Sequence, residues 1–173
     1  MSNKVFVAII IVLVGGMFGV ITLKNRSTPE VPRPGVAHED KGRQHVADGT
    51  VPYGGQEPPT SGDHSNPVPW QAYEQEISDM NVIHNMEHGG IYISYKPDLP
   101  ADQVAKIKAL FFAPYSRQDF SASKALLAPR AANDAPIIMS SWLRSEKFES
   151  FDEEKMVEYY RRNVGKSPEP AAS

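Results

Sequence analysis

The chain has 173 residues and a formal net charge of -3, with 18 basic side chains, 21 acidic side chains and no cysteine. This length suits one domain of ordinary size. The lysines and arginines are scattered, which argues against nucleic acid as a partner, and the lack of cysteine excludes disulfides and thiolate metal ligands.

The first apolar segment, residues 5–23, has the length of a membrane-spanning helix and contains no charged side chain. A helix of about 20 such residues crosses a hydrocarbon core about 30 Å thick. A cleaved signal peptide is the alternative, but its apolar region is usually shorter and ends in a small-residue site. Here the run leads into Lys24 and Arg26 without such a site, so we expect a membrane anchor at residues 5–23. Because the tail of residues 1–4 is short, we expect the larger domain to lie outside the cytoplasm, on the periplasmic or extracellular face.

A proline-rich polar stretch follows at residues 24–57 and predicts an extended tether, although part of it can pack on the domain. The next segment, residues 58–64, is dense in proline, glycine and other turn residues. This composition predicts a rigid, irregular loop, which is a suitable platform for the side chain of His64.

Regular structure becomes evident after this loop. Residues 91–95 are β-branched and aromatic and predict a strand, and residues 100–112 carry apolar side chains at helical spacing. Short apolar runs at 124–128 and 136–142 predict two more strands. Ser150 and Glu153 form a capping box that predicts a closing helix up to Gly165. We expect an α+β domain over residues 58–165, with a small mixed sheet of three to four strands and two main helices, then a disordered tail at 166–173.

The most informative motif places His84 and His88 four residues apart, with Glu87 between them. If this segment is helical, the two Cβ atoms lie about 6 Å apart and one metal ion can bind both imidazoles. If it is extended, the same residues are roughly 13 Å apart and share no ligand. The prediction of a metal site therefore depends on the local conformation.

All the histidines precede residue 89, although most of the predicted core follows it, which suggests a shared purpose. They are His38, His45, His64, His84 and His88. Met80 joins the stripe of His84 and His88 in a helix, and Met86 joins it in an extended chain. Thioether with imidazole favours copper(I), whereas two imidazoles with a carboxylate suit zinc. For each of the two methionines taken alone, core packing is the more typical role.

Ligating imidazoles also need acceptors for their second ring nitrogens. The candidates for that role are Asp63, Asp79 and Glu87.

Three motifs, at residues 42–46, 58–64 and 82–91, resemble in order and spacing the DUF3105 family. This family consists of mostly bacterial proteins, commonly with one N-terminal membrane segment, and its function is unassigned. The resemblance covers about residues 40–145 and supplies no reaction. It implies that five residues occupy signature positions: His45, His64, His84, Glu87 and His88. Met86 stands where leucine is common, and Met139 is at a less familiar position; both fit either a copper-leaning variant or drift among apolar residues.

We therefore expect the domain to bind a transition metal ion, copper first and zinc second, for handling or delivery rather than catalysis. The expected ligands are His45, His64, His84, Glu87 and His88, with possible contributions from Met80, Met86 and Met139. A first alternative is an envelope interaction module, with an envelope protein as partner, in which the motif holds the fold by hydrogen bonds. A second is a metal-dependent hydrolase, because His-x-x-Glu-His is also the inverted zinc-protease motif.

Overall fold

The computed structural model describes residues 5, 10–16, 31–112 and 120–171. The chain divides into two compact units, Met1–Pro32 and Arg33–Ser173. In the first unit, residues 10–16 are helical and exposed. The predicted anchor at 5–23 lies largely outside the described residues, and among those described no helix is long and apolar enough to cross a membrane.

A five-stranded mixed sheet forms the centre of the second unit. Its strands are β1 (Val36–Ala37), β2 (Ile91–Tyr95), β3 (Ala125–Pro129), β4 (Ile137–Ser141) and β5 (Arg144–Phe148). They lie in the order β1-β5-β4-β2-β3. β2 and β3 pair in parallel, and a helical crossover joins them, as parallel neighbours require. The other neighbouring strands of this sheet pair antiparallel.

Three helices of the described chain cover the two faces of this sheet: α1 (Asp79–Glu87), α2 (Ala101–Phe111) and α3 (Glu153–Asn163). Successive side chains of a strand point to opposite faces. In β2, Ile91 and Ile93 pack in one core cluster with side chains of α2 and α3, whereas Tyr92 packs in a second cluster with α1. The sheet is therefore buried on both faces, and α1 lies alone on one of them.

The α+β class is confirmed, but the expected number of strands is wrong. β1 comes from the proline-rich stretch, which was expected to act mainly as a tether, and the compact unit begins at Arg33 rather than at residue 58. β5 has the sequence RSEKF and is only partly buried, so it lacks the continuous apolar run that identified the central strands. The closing helix is confirmed, although its N-cap is Asp152, which accepts from the Lys155 amide.

Candidate metal centre

Four imidazoles from three segments of the chain converge at the C-terminal end of α1. The ring centroids of His45 and His64 are 4.5 Å apart, and those of His45 and His84 are 4.7 Å apart. The ring of His64 lies 5.1 Å from that of His84, which lies 4.5 Å from that of His88. The rings are thus packed against one another rather than distributed over the surface.

The helical conformation of α1 brings His84 and His88 together. The Ser78 side chain caps the helix by accepting from the Met80 amide, and His88 is the C-cap. Gly89 then turns the chain with a φ of 84°, a conformation that glycine adopts without strain. One helical turn separates the two histidines, and their Nε2 atoms are 3.1 Å apart. The helical alternative considered for this motif is therefore the one that the structure adopts.

Main-chain pairing brings His45 and His64 together. The Val46 amide donates to the His64 carbonyl at 2.9 Å, and the His64 amide donates to the Gln44 carbonyl at 2.9 Å. Gly62 has a φ of 129°, and its amide donates to the Gly42 carbonyl at 2.8 Å next to this pairing. The Tyr53 hydroxyl occupies the space that a side chain at residue 62 would need. The turn-rich loop therefore positions His64 by backbone geometry, as expected of a rigid platform.

Backbone carbonyls fix the protonation pattern of two of the rings. Nδ1 of His64 is 2.9 Å from the Gly62 carbonyl, and Nδ1 of His84 is 2.7 Å from the Ser65 carbonyl. A carbonyl only accepts, so each Nδ1 carries the proton and Nε2 of the neutral ring keeps its lone pair. Proteins orient metal-binding histidines in this way. Carbonyls, rather than the expected carboxylates, act as acceptors for these two rings.

Glu87 is 2% exposed and lies against the rings. Its Oε2 is 3.0 Å from Nε2 of His64 and 3.6 Å from Nε2 of His45. The 3.0 Å approach lacks hydrogen-bond orientation, since both atoms are buried with no hydrogen-bond partner among the described residues. Two buried polar atoms, an imidazole nitrogen and a carboxylate oxygen, therefore lie 3.0 Å apart without a hydrogen bond between them.

The electrostatic environment keeps His84 neutral. Burial is the largest influence and lowers the pKa of His84, and the three neighbouring imidazoles lower it further. The hydrogen bond to the Ser65 carbonyl acts in the opposite direction. A histidine must be neutral to bind a metal ion, so the lowered pKa favours the ligating form of His84.

The distances among the candidate donors suit a small cation. The ligand atoms of His45, His64 and His84 all lie within 4.8 Å of one another, as do those of His84, Glu87 and His88. Zinc–nitrogen bonds of about 2.0–2.1 Å place neighbouring tetrahedral ligands about 3.3 Å apart. The observed Nε2–Nε2 distance of 3.1 Å is close to this value. His84 belongs to both groups and is the common member of the centre.

The C-terminal segment closes one side of the centre, although a disordered tail was expected at 166–173. The Gly165 amide donates to the Gly89 carbonyl at 2.8 Å, and the Glu169 amide donates to the Glu87 carbonyl at 3.1 Å. Sequence reasoning missed Arg43 as well, whose guanidinium lies 3.6 Å from Glu87 and 3.4 Å from Glu169. Arg43 lies in the motif at residues 42–46, but no local pattern predicts its contact with Glu169, because these two residues meet only in the folded chain.

The methionines pack in several places. Met86 belongs to the core cluster between α1 and the sheet, about 200° around the helix from His84 at 3.6 residues per turn. Met139 pairs with Ile93 in the sheet and packs on the other face, with α2 and α3. Met80 is buried one turn before His84 and lines a separate cavity of about 280 Å³. The donors that converge are imidazole nitrogens and a carboxylate.

Asp79 has a different role from the one expected. Both of its carboxylate oxygens accept from Arg130, at 3.1 and 2.9 Å, so Asp79 orients no imidazole. His38 also lies apart from the four rings, with its Nε2 2.7 Å from the Ser145 hydroxyl.

Together, the fold and the site define an α+β domain with a half-buried histidine cluster at the end of one helix. The chain belongs to the DUF3105 family, which is described as "Protein of unknown function (DUF3105)". The model of this family matches residues 45–173. The resemblance noted in the sequence is thereby confirmed, and the match includes the four clustered histidines and the C-terminal segment. Neither the curated proteins nor the solved structures compared with this chain include a match.

Proposed function

We propose that this domain binds one transition metal ion through its histidine cluster, for metal handling or delivery rather than catalysis. The observation that carries this proposal is the pair of buried atoms, Nε2 of His64 and Oε2 of Glu87, that have no hydrogen-bond partner among the described residues. An unsatisfied buried polar atom costs about 1–3 kcal/mol, so such atoms call for an explanation. A cation bound between them and the neighbouring imidazoles would satisfy both.

The donor set favours borderline divalent ions. Imidazole nitrogen suits copper and zinc, and the general order of affinity places copper(II) above zinc. Copper therefore remains the first choice and zinc the second. Copper(I) was favoured in part by nearby thioether groups. Met86 and Met139 pack in core clusters instead, so their thioethers do not support copper(I).

We also propose that the domain works outside the cytoplasm, tethered to a membrane through residues 5–23. The support is the length of that segment and its lack of charged side chains. A protein of the cell envelope would then be the partner that gives or receives the ion.

A structural role for the histidines is the second candidate. The hydrogen bonds of His64 to Gly62 and of His84 to Ser65 favour it, because such bonds fasten loops whether or not a metal binds. This alternative predicts that the thermal stability of the parent protein is the same with and without a chelator. Metal binding predicts that the chelator lowers the stability of the parent protein and leaves a ligand variant unchanged.

The direct test is the metal content of the purified full chain after equilibration with copper or zinc and removal of free ion. The variants are His64→Ala and His84→Ala, and the matched control is His38→Ala, because His38 contacts Ser145 rather than the cluster. We expect near-stoichiometric loading of the parent and the control, and loss of most of the metal in the two ligand variants. Circular dichroism checks that each variant is folded. A parent without bound metal, or equal loading in all four proteins, would refute the proposal.

A further inference from the structure

The four imidazoles differ sharply in how far solvent reaches them. The His45 side chain is 61% exposed, whereas that of His64 is 0% exposed and that of His88 is 12% exposed. His84 is 6% exposed as a whole residue. One member of the cluster therefore faces solvent, and the other three are covered.

The rings also differ in how they are held. His64 and His84 each donate a ring proton to a backbone carbonyl, which fixes their orientation. Among the described residues, the His45 ring makes no hydrogen bond, and its Nε2 lies 3.6 Å from Oε2 of Glu87. Main-chain bonds of the exposed segment 41–45 place His45, and its ring packs against those of His64 and His84. Its side chain can therefore rotate without breaking any ring hydrogen bond.

From these differences we infer that His45 is the exchange ligand, the group that leaves the bound ion first when the ion passes to an acceptor. This inference rests on the proposed function. His64 and His84 would remain bound, because moving either ring breaks a buried hydrogen bond. Rotation of His45 about its side-chain bonds has no such cost, and it opens the exposed side of the ion.

The exchange conserves electrons and ligand number. The bond between the ion and the imidazole of His45 breaks, and that imidazole keeps its lone pair. A lone pair of the acceptor, from an imidazole, a carboxylate or a chelator, forms the replacement bond at the same position. The oxidation state of the ion is unchanged. The acceptor must approach from the side of segment 41–45, because the other three rings are covered.

The test is a rapid-mixing measurement of metal transfer from the loaded full chain to a chromogenic chelator over a range of chelator concentrations. If His45 must leave first, the transfer rate of the parent saturates at the rate of His45 departure. In His45→Ala the transfer rate should rise linearly with chelator concentration and exceed the plateau of the parent at high chelator. His88→Ala also lacks one imidazole, but its transfer rate should still saturate with chelator concentration. The transfer rate of His38→Ala should saturate as well.

The outcomes separate this inference from the proposed function. Saturation in His45→Ala, linear kinetics in the parent, or loss of saturation in His88→Ala would each overturn the role of His45 while metal binding stands. Loss of metal from His45→Ala equal to that of His64→Ala would also overturn it, because His45 would then be a retaining ligand. A parent that binds neither copper nor zinc would overturn both.

Discussion

Nε2 of His84 lies 3.1 Å from Nε2 of His88, across the last turn of α1. Because Nδ1 of His84 donates to the Ser65 carbonyl, Nε2 of the neutral ring carries a lone pair rather than a proton. Two arrangements satisfy this lone pair. Nε2 of His88 can donate a hydrogen bond to it, or the lone pairs of both Nε2 atoms can bind one cation. The first closes the cluster by a hydrogen bond and the second makes it a metal centre. Thermal stability distinguishes them.

Bound metal should raise the melting temperature of the parent protein. A ligand at a hundred times its dissociation constant stabilises the folded state by about 2.7 kcal/mol. For a domain of this size, each kcal/mol corresponds to roughly 2–4 °C. We therefore expect an increase of roughly 5–10 °C with copper or zinc, measured by circular dichroism, and its reversal by a chelator.

His64→Ala should show none of this increase, because His64 supplies the buried Nε2 that has no hydrogen-bond partner. His38→Ala should show the full increase, since His38 lies outside the cluster. Equal increases in both variants would mean that the ion binds elsewhere on the protein.

The stability of the metal-free protein should fall as the pH drops below about 6.5, the ordinary pKa of histidine. Burial lowers the pKa of His84 in the folded protein, so between the two pKa values the unfolded chain binds more protons than the folded one. Under that condition the free energy of unfolding increases with pH. Chemical denaturation at pH 7.5, 6 and 5 measures the slope.

His84→Gln should flatten this slope, because glutamine does not titrate. His38→Gln is the control and should retain the slope of the parent. A His84→Gln variant with an unchanged pH dependence would show that other groups are responsible for the acid sensitivity.

Local features of the fold were predictable from the sequence, and long-range ones were not. β2 is a run of β-branched and aromatic residues, and the spacing of His84 and His88 predicts their contact once that segment is helical, a conformation that the sequence left open. The contact between His45 and His64 depends on main-chain pairing of two irregular segments, which leaves no side-chain pattern. The same holds for Glu169, which is 126 residues from its partner Arg43.

Replacing the buried carboxylate at the centre should weaken metal binding without unfolding the protein. Glu87→Gln keeps the side-chain shape but removes the negative charge beside His64 and His45. We expect a loss of affinity of roughly 10- to 100-fold, the range found when groups around a metal site are altered. Competition with a chelator of known affinity measures the change.

Glu169→Gln is the matched control for this substitution. The Glu169 side chain is 51% exposed and its carboxylate lies 4.0 Å from Nε2 of His88, so solvent screens its charge. The metal affinity of Glu169→Gln should stay within a few-fold of that of the parent protein. If both substitutions have the same effect, the overall negative charge of the region, rather than the position of Glu87, accounts for the binding.

The turn that follows α1 should be sensitive to any side chain. Gly89 has a φ of 84°, and a Cβ there would lie 2.8 Å from the Cα of Gly165, in the segment that covers the centre. Gly89→Ala therefore combines left-handed strain of about 1–2 kcal/mol with displacement of that segment. Gly49→Ala is the control, because its φ is 73° but nothing lies within 4 Å of the added Cβ. We expect a larger loss of the free energy of unfolding in Gly89→Ala than in Gly49→Ala, measured by chemical denaturation. Equal losses would show that the C-terminal segment adds nothing to the stability of this turn.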